Sequence, residues 1–192
     1  MKKILIVYGG KFHPHKEAVE ILENELKDEF EIFATEDLDY FKKEKISNFD
    51  TVIIYTTKEK LNQQQEDGIV NFVKNGGKIV GIHSANASFK KNSKYFEMLG
   101  SKFVKHGPVC EFTVHPISNH YINKRIEDFD VKDEFYISEF SDDINVLFQG
   151  YWQGNYYPMG YTRNYGKGKI FYFAPGHTIS TLKNESFLKV IR

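Results

Sequence analysis

The chain has 192 residues, 41% hydrophobic and 27% charged, enough to bury one sizeable core and short for two. Twenty-six basic and twenty-six acidic residues cancel, which removes the positive field that a nucleic acid or an anionic membrane would call for and favours a small-molecule partner. No apolar window approaches the roughly 20 residues of a membrane span, the N-terminus lacks a secretory signal, and the single cysteine, Cys110, cannot pair internally; together these predict a cytoplasmic protein.

KKILIVY (2–8) is a β-branched and aliphatic run closed by Gly9 and Gly10, the profile of a strand buried on both faces. KEAVEILENELKDE (16–29) follows, with Val19, Leu22 and Leu26 at helical spacing. EIFA (31–34) and TVIIYTT (51–57) read as strands, and QQQEDGIVNFVKN (63–75) as a helix burying Ile69, Phe72 and Val73. Gly76 and Gly77 end it, and KIVGIH (78–83) is the next strand. This βαβα alternation predicts a parallel sheet with helices on both faces.

Beyond about residue 108, VCEFTV, EFYISEF, INVLFQGYW and KGKIFYFA are strand-like with few helical periods between them, so the second half adds strands, some of them antiparallel. Cys110 lies in the first of these runs and reads as a buried small hydrophobe. GYWQGNYYPMGYTRNYG (150–166) carries Trp152 and five tyrosines, which suits an aromatic-packed strand pair better than a sugar-stacking platform. ESFLKVIR looks like the opening of an amphipathic helix without a stop signal, so the expectation is one domain over 1–192 with its C-terminal helix truncated.

In an open parallel sheet, ligands bind beyond the carboxyl ends of the strands. His13 and His15 follow the first strand, His83 ends a later one, and His177 follows KIFYFAPG, so four of the seven histidines belong on one rim. Any one alone is more often an ordinary surface or hydrogen-bonded residue. Imidazole ligates metals and moves protons near neutral pH, and with a carboxylate it suits zinc. No HExxH or CxxC occurs, so such a site would be assembled from distant segments; two histidines sharing an ion need ring nitrogens within on the order of 5 Å. Asp133 and Glu134 are the carboxylate candidates, although a charged turn before an edge strand explains them as well. GIHSA resembles a strand-to-helix nucleophile elbow, but His83 holds the elbow position and Ser84 comes one residue late.

Taken in order, KFHPHKEAVEIL, NGGKIVGIHSA, FVKHGPVCEFTV, HYINKRIEDFDVKDEFY and PMGYTRNYGKGKIFYFAPGHT resemble the motifs of the ThuA-like family, named for trehalose utilisation. The match spans nearly the whole chain. It puts His15, His83, His106, His120, Asp133, Glu134, Tyr136, Arg163, Gly166, Gly168, Gly176 and His177 on motif positions. Tyr121 stands where the family has a proline after the histidine.

The resemblance implies a flavodoxin-like, class I glutamine amidotransferase-like α/β three-layer sandwich, with a mostly parallel central sheet and extra strands in the second half. His83 then replaces the amidotransferase cysteine and faces His177, so glutamine amidotransfer is not expected. The expected activity is on a keto-sugar or disaccharide, with no nucleotide cofactor. His83, His177 and Glu134 would be catalytic groups and ligands of zinc or another divalent metal. His15, His106, Tyr136, Trp152 and Arg163 would bind substrate. The alternatives are a non-catalytic carbohydrate-binding or regulatory domain and a Ser84-dependent hydrolase. Homo-oligomerisation is left open.

Overall fold

The computed structural model describes residues 1–192. Strand β1 (Lys2–Gly9) leads to α1 (His15–Leu26) and β2 (Phe30–Thr35), then through a 3-10 turn (Leu38–Phe41) and a short α2 (Lys43–Ile46) to β3 (Thr51–Thr56). Helix α3 (Gln63–Lys74) returns the chain to β4 (Lys78–Ile82), which runs directly into a 3-10 turn over His83–Ala87. Ile4–Val7 and Val52–Tyr55 are buried along their whole length, as expected of strands covered on both faces. Asn62 and Gln65 form a reciprocal capping box at the start of α3.

After α4 (Ser93–Leu99) come β5 (Ser101–Pro116), β6 (Phe129–Phe140), β7 (Asn145–Trp152), β8 (Asn155–Tyr165) and β9 (Gly168–Phe173), with no helix among them; α5 (Ile179–Leu182) and α6 (Glu185–Ile191) close the chain. All nine strands form one sheet in the order β2-β1-β3-β4-β9-β8-β7-β5-β6. The first four neighbouring pairs are parallel and the last four antiparallel.

This corrects the expected sandwich with a mostly parallel sheet: the sheet is mixed, and its second half is antiparallel. Parallel pairing needs a crossover of a dozen or more residues, and from β5 to β9 no helix supplies one. The β7–β8 link is a two-residue turn, Gln153–Gly154, with φ of 48° and 88°, which suits a tight hairpin. Trp152 and the five tyrosines thus belong to a strand pair and its flanks.

Helix α1 packs on β1, β2 and α5, and α3 on β4, β9, α2 and α4. Forty-four buried hydrophobic residues make one continuous core. The β5–β6 ribbon departs from this regularity. It pairs with β7 only at Val114–Pro116, and its register shifts between Phe103 and Lys105 and between His106 and Val109. Bulges bend and twist a strand, and here they bring the middle of β6 against the carboxyl ends of β4 and β9. No helix is long and apolar enough to cross a membrane.

Candidate functional site

Three loops at strand ends and one strand interior converge. His13 lies between β1 and α1, His83 directly after β4, His177 after β9, and Glu134 within β6. One ligand atom from each lies within 4.8 Å of the others, inside the span two imidazoles need to share an ion. The ring centroids of His13 are 4.9 Å from those of both His83 and His177, and the latter two are 5.4 Å apart.

The backbone sets the tautomers. His83 Nδ1 lies 2.8 Å from the Ala174 carbonyl and His13 Nδ1 lies 3.2 Å from the Lys11 carbonyl. A carbonyl only accepts, so each Nδ1 carries a proton and donates, and Nε2 is the nitrogen each ring turns toward the group. His83 reaches this pose with φ of 45° and is fully buried. Three buried ring nitrogens, His13 Nε2, His83 Nε2 and His177 Nδ1, have no hydrogen-bond partner.

Glu134 divides its oxygens. Oε2 stands 3.5 Å from His83 Nε2 and 3.2 Å from His177 Nδ1, out of line for a hydrogen bond with either, while Oε1 is 3.4 Å from His106 Nδ1. Burial pushes the Glu134 carboxyl up, but the His83 contact and the neighbouring His177 and His106 outweigh it and hold the group below the ordinary glutamate value. Burial, reinforced by His83, drives His13 down to about 3 and lowers His177. Three imidazoles, each with a buried unpartnered nitrogen, beside one carboxylate are a fitting donor set for zinc or a similar ion.

Asp133 points away from this group and holds it in place. It is fully buried; its carboxylate accepts from the amides of Glu134 (2.9 Å), Gly176 (3.2 Å), His177 (3.0 Å) and Thr178 (3.3 Å). One side chain of β6 therefore fixes the loop that carries His177. Tyr55 donates to the Gly176 carbonyl and Tyr172 to the His83 carbonyl, both at 2.8 Å. The Tyr136 ring lies 4.0 Å from that of His83. Burial first, then Glu134 and Asp133, pushes its phenol well up, so it stays protonated.

The remaining expected residues divide. His106 touches Glu134 and keeps its side chain 40% exposed. His15 sits behind the group in the first turn of α1, its ring 5.2 Å from that of Tyr55. Trp152 stacks on Phe135, rings 5.7 Å apart, and approaches Gly107 rather than the histidines. Arg163 belongs elsewhere: it pairs with Asp143 at 2.9 Å and donates to the Met98 and Glu97 carbonyls at the end of α4, capping that helix. His120 Nδ1 accepts from the Ile122 amide at 3.3 Å in the β5–β6 loop. Ser84 Oγ is buried without a partner, so no base reaches it. Burial raises the Cys110 thiol, against the direction of an activated nucleophile.

His13 is the member of this cluster that the motif match passed over in favour of His15. The signal was Pro14 between them: a residue before proline is steered away from helix, which keeps His13 in the rim loop and puts His15 on α1.

The sequence matches the family model ThuA, trehalose utilisation, over residues 3–192. The chain belongs to the ThuA family. A ThuA-like protein from Parabacteroides merdae superposes with a TM-score of 0.87 at 17% identity, covering 99% of this chain and 87% of that one. A ThuA-like protein from Bacteroides uniformis gives 0.83 at 18%, covering 99% and 88%. A cytoplasmic protein of Salmonella typhimurium LT2 gives 0.76 at 14%, covering 98% and 96%. These likenesses establish a shared ThuA fold. No curated protein matches the sequence.

Proposed function

We propose that this ThuA-family chain is a cytoplasmic enzyme of sugar metabolism that acts on a keto-sugar or related carbohydrate and holds a divalent metal, zinc by preference, through His13, His83, His177 and Glu134. The observation that carries the reading is the set of three buried, unpartnered imidazole nitrogens beside a carboxylate. Family membership supports the sugar. A bound ion of this kind polarises a ketone or hydroxyl oxygen as a Lewis acid.

The chain's own groups have distinct tasks. The Ala174 and Lys11 carbonyls hold His83 and His13 in the ligating tautomer. Glu134 Oε1, turned from the ligand side toward His106, accepts a proton from the carbon beside a carbonyl. Tyr136, kept protonated, donates a hydrogen bond to a substrate oxygen.

Elemental analysis of purified protein, with His83→Ala and His177→Ala alongside, tests the reading. Near-stoichiometric metal in the wild type and its loss from both variants is expected. Metal-free protein that regains none on dialysis against zinc would remove the metal. Loss of metal without any keto-sugar conversion or solvent-deuterium exchange would favour a non-catalytic carbohydrate-binding domain.

A further inference from the structure

Beside the histidine group, and sharing His13 with it, is a recess of about 430 Å³ lined by no hydrophobic residue, a volume within the roughly 300–1,000 Å³ of small-molecule sites. Gly9, Gly10, His15 and Glu36 form its walls together with the start of α1. Both glycines have φ of 110°. A side chain at Gly9 would lie 2.7 Å from Glu36 Oε2, so the missing Cβ is what lets that carboxylate lie over the loop. Lys58 Nζ donates to the Glu36 backbone carbonyl at 2.6 Å, not to its carboxylate.

Two further features leave hydrogen-bonding capacity in this recess. Helix α1 has Pro14 at its N-cap position and no side-chain cap, and the Lys16 and Glu17 amides find no acceptor in the chain, as befalls first-turn amides unless something caps them. His15 is 7% exposed and neither of its ring nitrogens is hydrogen-bonded. An imidazole can offer an N–H on one nitrogen and a lone pair on the other, and neither nitrogen of His15 finds a partner within the chain.

A helix N-terminus alone attracts an anion. Glu36 opposes that here, and Glu17, in a surface pair with Lys183 at 3.1 Å, adds a second carboxylate to the lining against the one ammonium of Lys16. The recess offers donors, the two amides, and acceptors, Glu36 and the His15 lone pair, side by side. Hydroxyl groups donate and accept at once; a phosphate at neutral pH chiefly accepts.

We infer that this recess is a second subsite that holds a neutral, hydroxyl-rich ring, rather than a phosphorylated one, through Glu36, His15 and the first amides of α1, while the histidine group takes the reacting end of the same molecule. The inference rests on the carbohydrate reading above but not on the metal.

Calorimetric titration with trehalose and, separately, with inorganic phosphate tests it on wild type, Glu36→Gln and His15→Asn, with metal content measured on each sample. Trehalose binding should weaken about tenfold in Glu36→Gln, the loss of one charge-assisted hydrogen bond, and also in His15→Asn, with metal content unchanged and no heat from phosphate. Unaltered trehalose affinity in Glu36→Gln, phosphate binding that competes with trehalose, or a wild type that binds no trehalose would each overturn the subsite. Absence of metal from every sample would defeat only the ligand reading of the histidines, since the Glu36 effect is read independently.

Discussion

Three of the four clustered residues, His13, His83 and His177, stand at the carboxyl ends of β1, β4 and β9, in the parallel half of the sheet; the fourth, Glu134, comes from the interior of β6, the last strand of the antiparallel half. In strand order β6 lies five places from β4, yet Glu134 Oε2 is 3.5 Å from His83 Nε2. The parallel half places its residues by a topological rule, strand ends pointing one way. The antiparallel half places its residue by bending: the ribbon is tied to β7 over only Val114–Pro116, and its bulges face the stretch that carries Glu134. A regular sheet provides the rim, and an irregular ribbon completes it.

Breaking the link between the halves should have the largest effect. Asp133→Ala leaves the amides of residues 176–178 without their buried acceptor. Urea unfolding should show a loss of about 3 kcal/mol, with Asp133→Asn in between. A change below about 1 kcal/mol would mean that the ribbon does not anchor the His177 loop.

Acid should separate the two contributions more gently. In chelator-treated protein the unfolded chain takes up protons at its histidines below about pH 6.5, while His13 stays neutral until about pH 3 and His177 is shifted the same way. The unfolded state then binds more protons, so stability falls as pH falls through that window. Glu134, held below its ordinary value, adds a further loss at lower pH, as the pH drops through its folded-state value. Melting temperatures from pH 7 to 5 should decline, and His13→Gln should flatten the decline; an unchanged slope in that variant would count against a neutral, half-buried His13.

Much of the parallel half was legible in the sequence. His83 and His177 could be placed because an apolar run ending in a histidine marks the rim whatever the loops do. His13 was harder, because which of two nearby histidines turns inward depends on local backbone, including Phe12 at φ of 72°, that no periodicity records. In the antiparallel half, strand identity and some antiparallel pairing were legible, but the face each side chain takes was not. Nothing in KDEFY says that Asp133 faces the His177 loop while Glu134 faces the rim, since that depends on where the bulges fall. Arg163 matched a motif position and turned out to cap α4, a reminder that a motif reports position before it reports chemistry.

The smallest expected effect belongs to Ser84. Its hydroxyl is buried without a partner, so Ser84→Ala should keep stability within about 1 kcal/mol of wild type, or raise it, and leave sugar conversion unchanged; lost conversion at unchanged melting temperature would revive the serine as a nucleophile.

The hydrogen bond from His83 to the Ala174 carbonyl spans two adjacent strands, β4 and β9. Neighbouring strands lie about 4.8 Å apart, so the seat of His83 against Ala174 is a dimension of the sheet, whereas His177 stands three residues further on in a loop that Asp133 holds. Loops drift readily over evolution, whereas a seat built on strand spacing does not. A descendant that rebuilt the ribbon around another substrate would inherit His83 in the same place, and His177 would follow only if a new residue took over from Asp133.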